Sequence, residues 1–154
     1  MKYIIALVII AVLLFYFFLP AGEDKDAAGK IEIVLNNLIK SGERKDLNVV
    51  MEYFSPDYID SSGRTILVVR GIIKSAFDRF ESIEGSYSNL IVSTIEDESG
   101  DTKTIANVDI WISGNNTETA YKLIGTKDNP QNVDIVFESL MLGGWKIISI
   151  ENIK

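Results

Sequence analysis

The chain has 154 residues, with 15 Lys and Arg against 22 Asp and Glu, a formal net charge of −7, and neither histidine nor cysteine. Without cysteine there is no disulfide framework and no thiolate chemistry, and without histidine the commonest general base and metal ligand is missing, which weighs against catalysis. The acidic balance opposes nucleic-acid partners, and the length allows one domain plus an appendage.

The appendage comes first. Tyr3 to Leu19, YIIALVIIAVLLFYFFL, contains no charge. As a helix rising 1.5 Å per residue it covers about 26 Å, close to the roughly 30 Å hydrocarbon core of a bilayer. A cleaved secretory signal is the alternative, since Lys2 gives a minimal positive n-region and Ala21-Gly22 supplies small residues. Cleavage there would leave Leu19 or Pro20 three positions back instead of the small residue such a site needs, which favours an uncleaved signal-anchor over residues 1–20. No cysteine follows the run, so a bacterial lipoprotein anchor is excluded. Lys2 precedes the span and Glu23, Asp24 and Asp26 follow it, so the expectation is a single-pass membrane protein whose C-terminal domain lies outside the cytoplasm.

Residues 21–29 are small and charged and read as a linker, leaving 30–154 for the domain. Ile31, Val34, Leu35, Leu38 and Ile39 recur at helical spacing up to Ser41-Gly42. A second, short helix is expected from an Asp46 N-cap, with Leu47, Val50, Met51 and Phe54 on one side. Pro56 biases Ser55 away from helical angles, and Asp60-Ser61-Ser62-Gly63 is turn chemistry, so Tyr53 to Gly63 reads as a corner. A third helix is predicted from about Thr65 to Ile83, apolar along Ile66, Val69, Ile73, Ala76, Phe77, Phe80 and Ile83. Gly71 within it costs about 1 kcal/mol relative to alanine unless a neighbour needs the space.

From Gly85 the period changes to two. Strands are predicted near 86–97, 103–113, 118–126, 132–142 and 145–153, separated by turn signals too short for parallel crossovers. Helices followed by strands mean an α+β fold, here expected as an antiparallel meander. Ala106, Val108, Ile110 and Ile112 should face the helices, with Asn107, Asp109 and Trp111 on the other side. In the last two strands both faces carry apolar residues: Ile135 and Phe137 against Val136, Leu140 and Leu142, and Trp145 and Ile147 against Ile148 and Ile150. The outer face should therefore be covered by a second subunit or by the sheet's own curl.

Two amphipathic helices, the corner F-S-P-D-Y-x-D-x-x-G, a third helix and strands closing on G-G-W-K-I resemble the NTF2-like superfamily, the SnoaL-like cone, over about residues 28–153. The resemblance implies three helices over a concave antiparallel sheet, often with a pocket at the open end and a dimer through the outer face. It implies no single activity, because the fold hosts isomerases, hydratases, adaptors and binding modules. Catalytic members place an Asp–His pair, or a Tyr with a carboxylic acid, inside the cone, and this chain has no histidine.

Asp57, Tyr58 and Asp60 are the first candidate ligand-binding residues, a carboxylate beside a phenol that could move a proton if burial raised the carboxyl pKa. Against this, the same aromatics can simply pack the corner while the aspartates cap turns. Asp109 and Trp111 could form a polar and aromatic platform, or cover the outer face; Phe77 could line a pocket, or belong to the core. The turn Glu96 to Asp101 lacks the ligand spacing of a calcium loop, and no metal site, cofactor or catalytic set is expected. Asn115-Asn116-Thr117 fits a glycosylation acceptor, relevant only in a eukaryotic secretory pathway. The functional expectation is a membrane-anchored extracytoplasmic binding or assembly module for a small apolar ligand or envelope protein. Its rival is a histidine-free isomerase or lyase that pairs a pocket aspartate with a tyrosine.

Overall fold

The computed structural model describes residues 25–96, 102–117, 119–141 and 144–152. The expected span at 3–19, the start of the linker and the acidic turn at 97–101 lie outside them. Among the described residues no helix is long and apolar enough to cross a membrane.

Helix α1, Lys25–Glu43, starts inside the expected linker. Ala27 and Ala28 are strong helix formers, Asp26 sits in the first turn, and Lys30 pairs with Asp26 at 2.7 Å. Ala27 is buried in the core, so tertiary packing extends the helix beyond its apolar stripe. Helix α2, Leu47–Glu52, begins as expected, with the Asp46 side chain accepting from the Val49 N–H. Helix α3, Ile66–Arg79, is shorter than its apolar pattern, because Phe80 turns extended (φ −106°, ψ 143°). Ile83 therefore belongs to strand β1, where its burial follows a period of two.

Strands β1 (Ser82–Glu96), β2 (Thr102–Asn116), β3 (Thr119–Ile124), β4 (Gln131–Ser139) and β5 (Trp145–Glu151) form one antiparallel sheet. It is not a simple meander. Strand β2 pairs β1 along one edge, and along the other it pairs β3 over Ile112–Asn116 and β4 over Thr104–Ile110. Where the second edge changes hands, Gly125 lies at φ +51°, and a Cβ there would sit 2.7 Å from the Ile110 carbonyl oxygen. Only glycine fits this crossing.

Two bulges reset which residues face inward. Asn89, at φ +53°, occupies the irregularity between Ser88 and Ile91, so Ile83 and Tyr87 before it and Val92 after it all turn toward the helices. In β5 the register shifts between Val136↔Ser149 and Phe137↔Ile147. Ile147 and Ile150 thus both face the interior, correcting the assignment of these two residues to opposite faces. The core is densest where α1, α2 and the corner meet Phe137, Ile147, Ala106, Val108 and Val133, all fully or almost fully buried.

Candidate functional site

The corner is stitched to β5 by backbone hydrogen bonds: Ser55 N–H donates to the Ile147 carbonyl, and Ile147 N–H to Tyr53, each at 2.8 Å. Phe54 and Tyr58 turn inward and meet edge to face, ring centroids 5.4 Å apart. Asp57 points the other way and is exposed. Its backbone N–H donates to Ser55 Oγ at 3.3 Å, the local turn bonding expected beside a proline.

Asp60 is buried and its carboxylate is saturated. Oδ1 accepts from the Ser62 and Arg64 N–H groups at 2.9 Å each, and Oδ2 from Arg64 Nε at 2.6 Å and the Tyr58 hydroxyl at 3.5 Å. Gly63, at φ +75°, lets the chain fold back so that Arg64 meets the carboxylate four residues before it. Burial, the largest single influence, pushes the Asp60 pKa up, but the Arg64 hydrogen bonds and charge together with the Ser62 N–H outweigh it and hold the carboxyl below its ordinary value. This is the reverse of the raised pKa that proton transfer would need. Tyr58 is pushed up to about 12, by burial first and then by the Asp60 charge.

Tyr58, Asp60 and Arg64 stand in the wall of a cavity of about 390 Å³ between the helices and the concave sheet. The lining is otherwise aliphatic and aromatic, with Ile73 and Phe77 of α3 facing Val108, Ile110 and Ile135 of the sheet. Glu43, Asp60 and Arg64 are its charged members, and Tyr87 adds a hydroxyl that donates to Asn36 Oδ1 at 3.2 Å. The volume lies in the roughly 300–1,000 Å³ range of small-molecule pockets, whose walls are typically apolar with a few polar groups. None of the residues of α3 is buried, since the cavity lies beneath one face of the helix and solvent above the other. Among the described residues no group of three or more His, Cys, Asp or Glu is placed to hold a metal ion.

The six candidate residues thus separate. Tyr58, Asp60 and Phe77 reach the cavity; Asp57 does not. Asp109 and Trp111 lie on the opposite sheet face from Val108, Ile110 and Ile112, and so take no part in the cavity. Asp109 accepts from Asn89 Nδ2 at 2.7 Å and Asn132 Nδ2 at 2.8 Å, bonds that lower its pKa. The network continues through Asn107 to Asp134 and Asn152, an outer-face ladder of mutually satisfied amides and carboxylates. Arg64 was not among the candidates, although D-x-x-G-R is a readable signal: a glycine turn returns a cation to the carboxylate at i−4. Ile150 was hidden by the β5 bulge.

No family model matches the sequence, and no curated protein matches it either. Solved structures do. Bd1075 of Bdellovibrio bacteriovorus superposes with a TM-score of 0.61 at 10% identity, over 80% of this chain but 38% of that one, so this chain spans well under half of its length. A Novosphingobium aromaticivorans protein assigned provisionally as a scytalone dehydratase gives 0.65 at 11% identity, over 83% of each chain. An NTF2-like protein of unknown function from Pseudomonas putida KT2440 gives 0.59 at 9% identity, over 84% of this chain and 87% of that one. At such identities the likeness carries the fold, an NTF2-like α+β cone of three helices on an antiparallel sheet, and no activity.

Proposed function

We propose that this NTF2-like cone is a binding module that holds a small, mainly apolar molecule in its interior, tethered to a membrane by residues 3–19 with the domain outside the cytoplasm. The observation that carries the reading is the cavity of about 390 Å³ with its aliphatic and aromatic wall. Occupying it would bury apolar surface that the fold leaves unfilled, at about 25 cal/mol per Å² removed from water. The uncharged run from Tyr3 to Leu19 and the acidic residues after it support the tether and its orientation. Confinement to the membrane would raise the effective concentration of the module for any partner there.

The enzyme reading rests on the Tyr58–Asp60 pair in the cavity and on the neighbour provisionally assigned as a dehydratase. General acid–base catalysis works best when a group titrates near the working pH. Here the carboxyl is held below its ordinary range and the phenol above, so binding accounts for the site better than proton transfer. The outer sheet face supports self-association as part of the same proposal: Ile91 and Ile95 are exposed there, beside half-buried Ile105 and Val136.

Native mass spectrometry of the full chain released from lipid nanodiscs tests the central claim. A co-purified small molecule, lost when Ala76 in the cavity wall is enlarged by Ala76→Leu, is the expected result. A chain that releases no ligand and takes up no apolar probe would remove the proposal.

A further inference from the structure

We infer that the ligand is an amphiphile with a carboxylate or similar oxyanion head, received by the free face of the Arg64 guanidinium while its apolar body fills the cavity. This deepens the cavity-binding reading and rests on it. The first observation is how little of the wall is available for polar recognition. Tyr87 is engaged by Asn36, and both oxygens of Asp60 are taken by Ser62, Arg64 and Tyr58.

Arg64 differs. Only its Nε is spent, on Asp60 Oδ2 at 2.6 Å, and among the described residues neither Nη group has a hydrogen-bond partner. A third of its side chain remains accessible, and the residue lines the cavity. Guanidinium presents its donors as a rigid planar fork, and the Nη pair left over after a single Nε contact matches two acceptor oxygens of one head group. Asp60 works as a positioning residue: it grips Arg64 through both backbone N–H and Nε, fixing the plane of the fork before a ligand arrives.

The unspent Nη donors decide the sign of the head, since the Asp60 charge is already paired with Arg64 Nε. Glu43 stands among the lining residues but is exposed at the end of α1, where water screens it. Arg64 is the only cation in the wall among the described residues. A purely hydrocarbon ligand would leave the Nη donors facing apolar atoms, with loss of their hydration, whereas a cationic head would meet the guanidinium directly.

The test uses three probes sharing one twelve-carbon chain, namely dodecanoate, methyl dodecanoate and dodecylamine, titrated below micellar concentration into the full chain in nanodiscs, with empty nanodiscs subtracted. In the unaltered protein dodecanoate is expected to bind at least tenfold more tightly than the ester, and the amine weakest. Arg64→Gln keeps part of the apolar stem and should erase that preference while changing ester affinity less than about threefold, so ester binding also reports that the cavity has survived. Equal affinity for acid and ester in the unaltered protein overturns the inference even if the variant fails to fold, and so does tighter binding of the amine. An equal fall for acid and ester on Arg64→Gln also overturns it, by showing Arg64 to be wall alone. If none of the probes binds, the cavity reading itself falls, a result distinct from binding without preference.

Discussion

The two halves of the cone are built from similar residues and end in different states. Around Phe137, Ile147, Ile31 and Ala106 the side chains are fully buried, and none of them lines the cavity. Around Phe77, Ile73, Ile110 and Ile112 no residue of the covering helix is buried, and the space between helix and sheet is cavity. Aliphatic content does not distinguish the halves. What differs is attachment: α1 packs on β1 and the corner is hydrogen-bonded to β5, while no residue of α3 is buried and the cavity lies beneath it. One half holds the fold together and leaves the other free to remain hollow.

The largest expected effect lies in the filled half. Phe137→Ala should cost about 3–5 kcal/mol, the usual range for a large core aromatic, in urea unfolding followed by Trp111 and Trp145 fluorescence. Phe77→Ala, at the cavity wall, should cost less than about half as much, because the space it vacates adjoins one already there. Equal losses would erase the contrast between the halves.

Gly114→Ala comes next. A Cβ there would lie 2.3 Å from the Phe80 ring, which is buried and tilted against Tyr121 with centroids 5.4 Å apart. Overpacking of this kind costs about 1–3 kcal/mol, and a double variant with Phe80→Leu should recover part of it.

The corner that joins the halves should show in the pH dependence. Tyr58 has a raised pKa, so its contribution to stability is complete below the ordinary value of 10.0 and is lost as pH rises toward about 12. Asp60 has a lowered pKa, so its contribution is complete above the ordinary 3.8 and is lost as pH falls through the folded value. Comparing unfolding midpoints from pH 9 to 12 should give a shallower alkaline decline for Tyr58→Phe than for the unaltered chain; parallel curves would show that the phenol is not held protonated.

The smallest effect is a gain. Gly71 sits mid-helix in α3, and a Cβ there would meet nothing within 4 Å. Gly71→Ala should therefore stabilise by about 1 kcal/mol, through helix propensity alone. No gain, or a loss, would mean that α3 needs the freedom of glycine, which would sharpen the view of this side as the yielding one.

Much of the candidate site was legible, though in pieces. The corner residues Tyr58 and Asp60 and the helix residue Phe77 reach the cavity, although the local signals of turn chemistry and helical spacing fit a packed corner and a core position as well. Asp57, three residues before Asp60, could not be told from it by composition. Which aspartate turned inward was decided by the backbone hydrogen bonds between the corner and β5: Ser55 N–H donates to the Ile147 carbonyl, Ile59 N–H to the Ile148 carbonyl, and Ile147 N–H to the Tyr53 carbonyl. Asp109 and Trp111 were placed on the correct sheet face, but only the folded sheet shows that the cavity lies on the other.

By itself the sequence determined the order of elements, helices then strands, the Asp46 cap, the corner, and the inward face of β2 at Ala106, Val108, Ile110 and Ile112. Each rests on spacing within a few residues, where chain geometry alone dictates which side chains lie together. Tertiary structure alone decided the extension of α1 into residues 25–29, the early end of α3, the shared edge of β2, the bulges at Asn89 and in β5, and the emptiness under α3. Those depend on contacts between residues far apart in the chain: a bulge adds one residue against a partner strand, and a cavity is the space that elements fixed elsewhere fail to close.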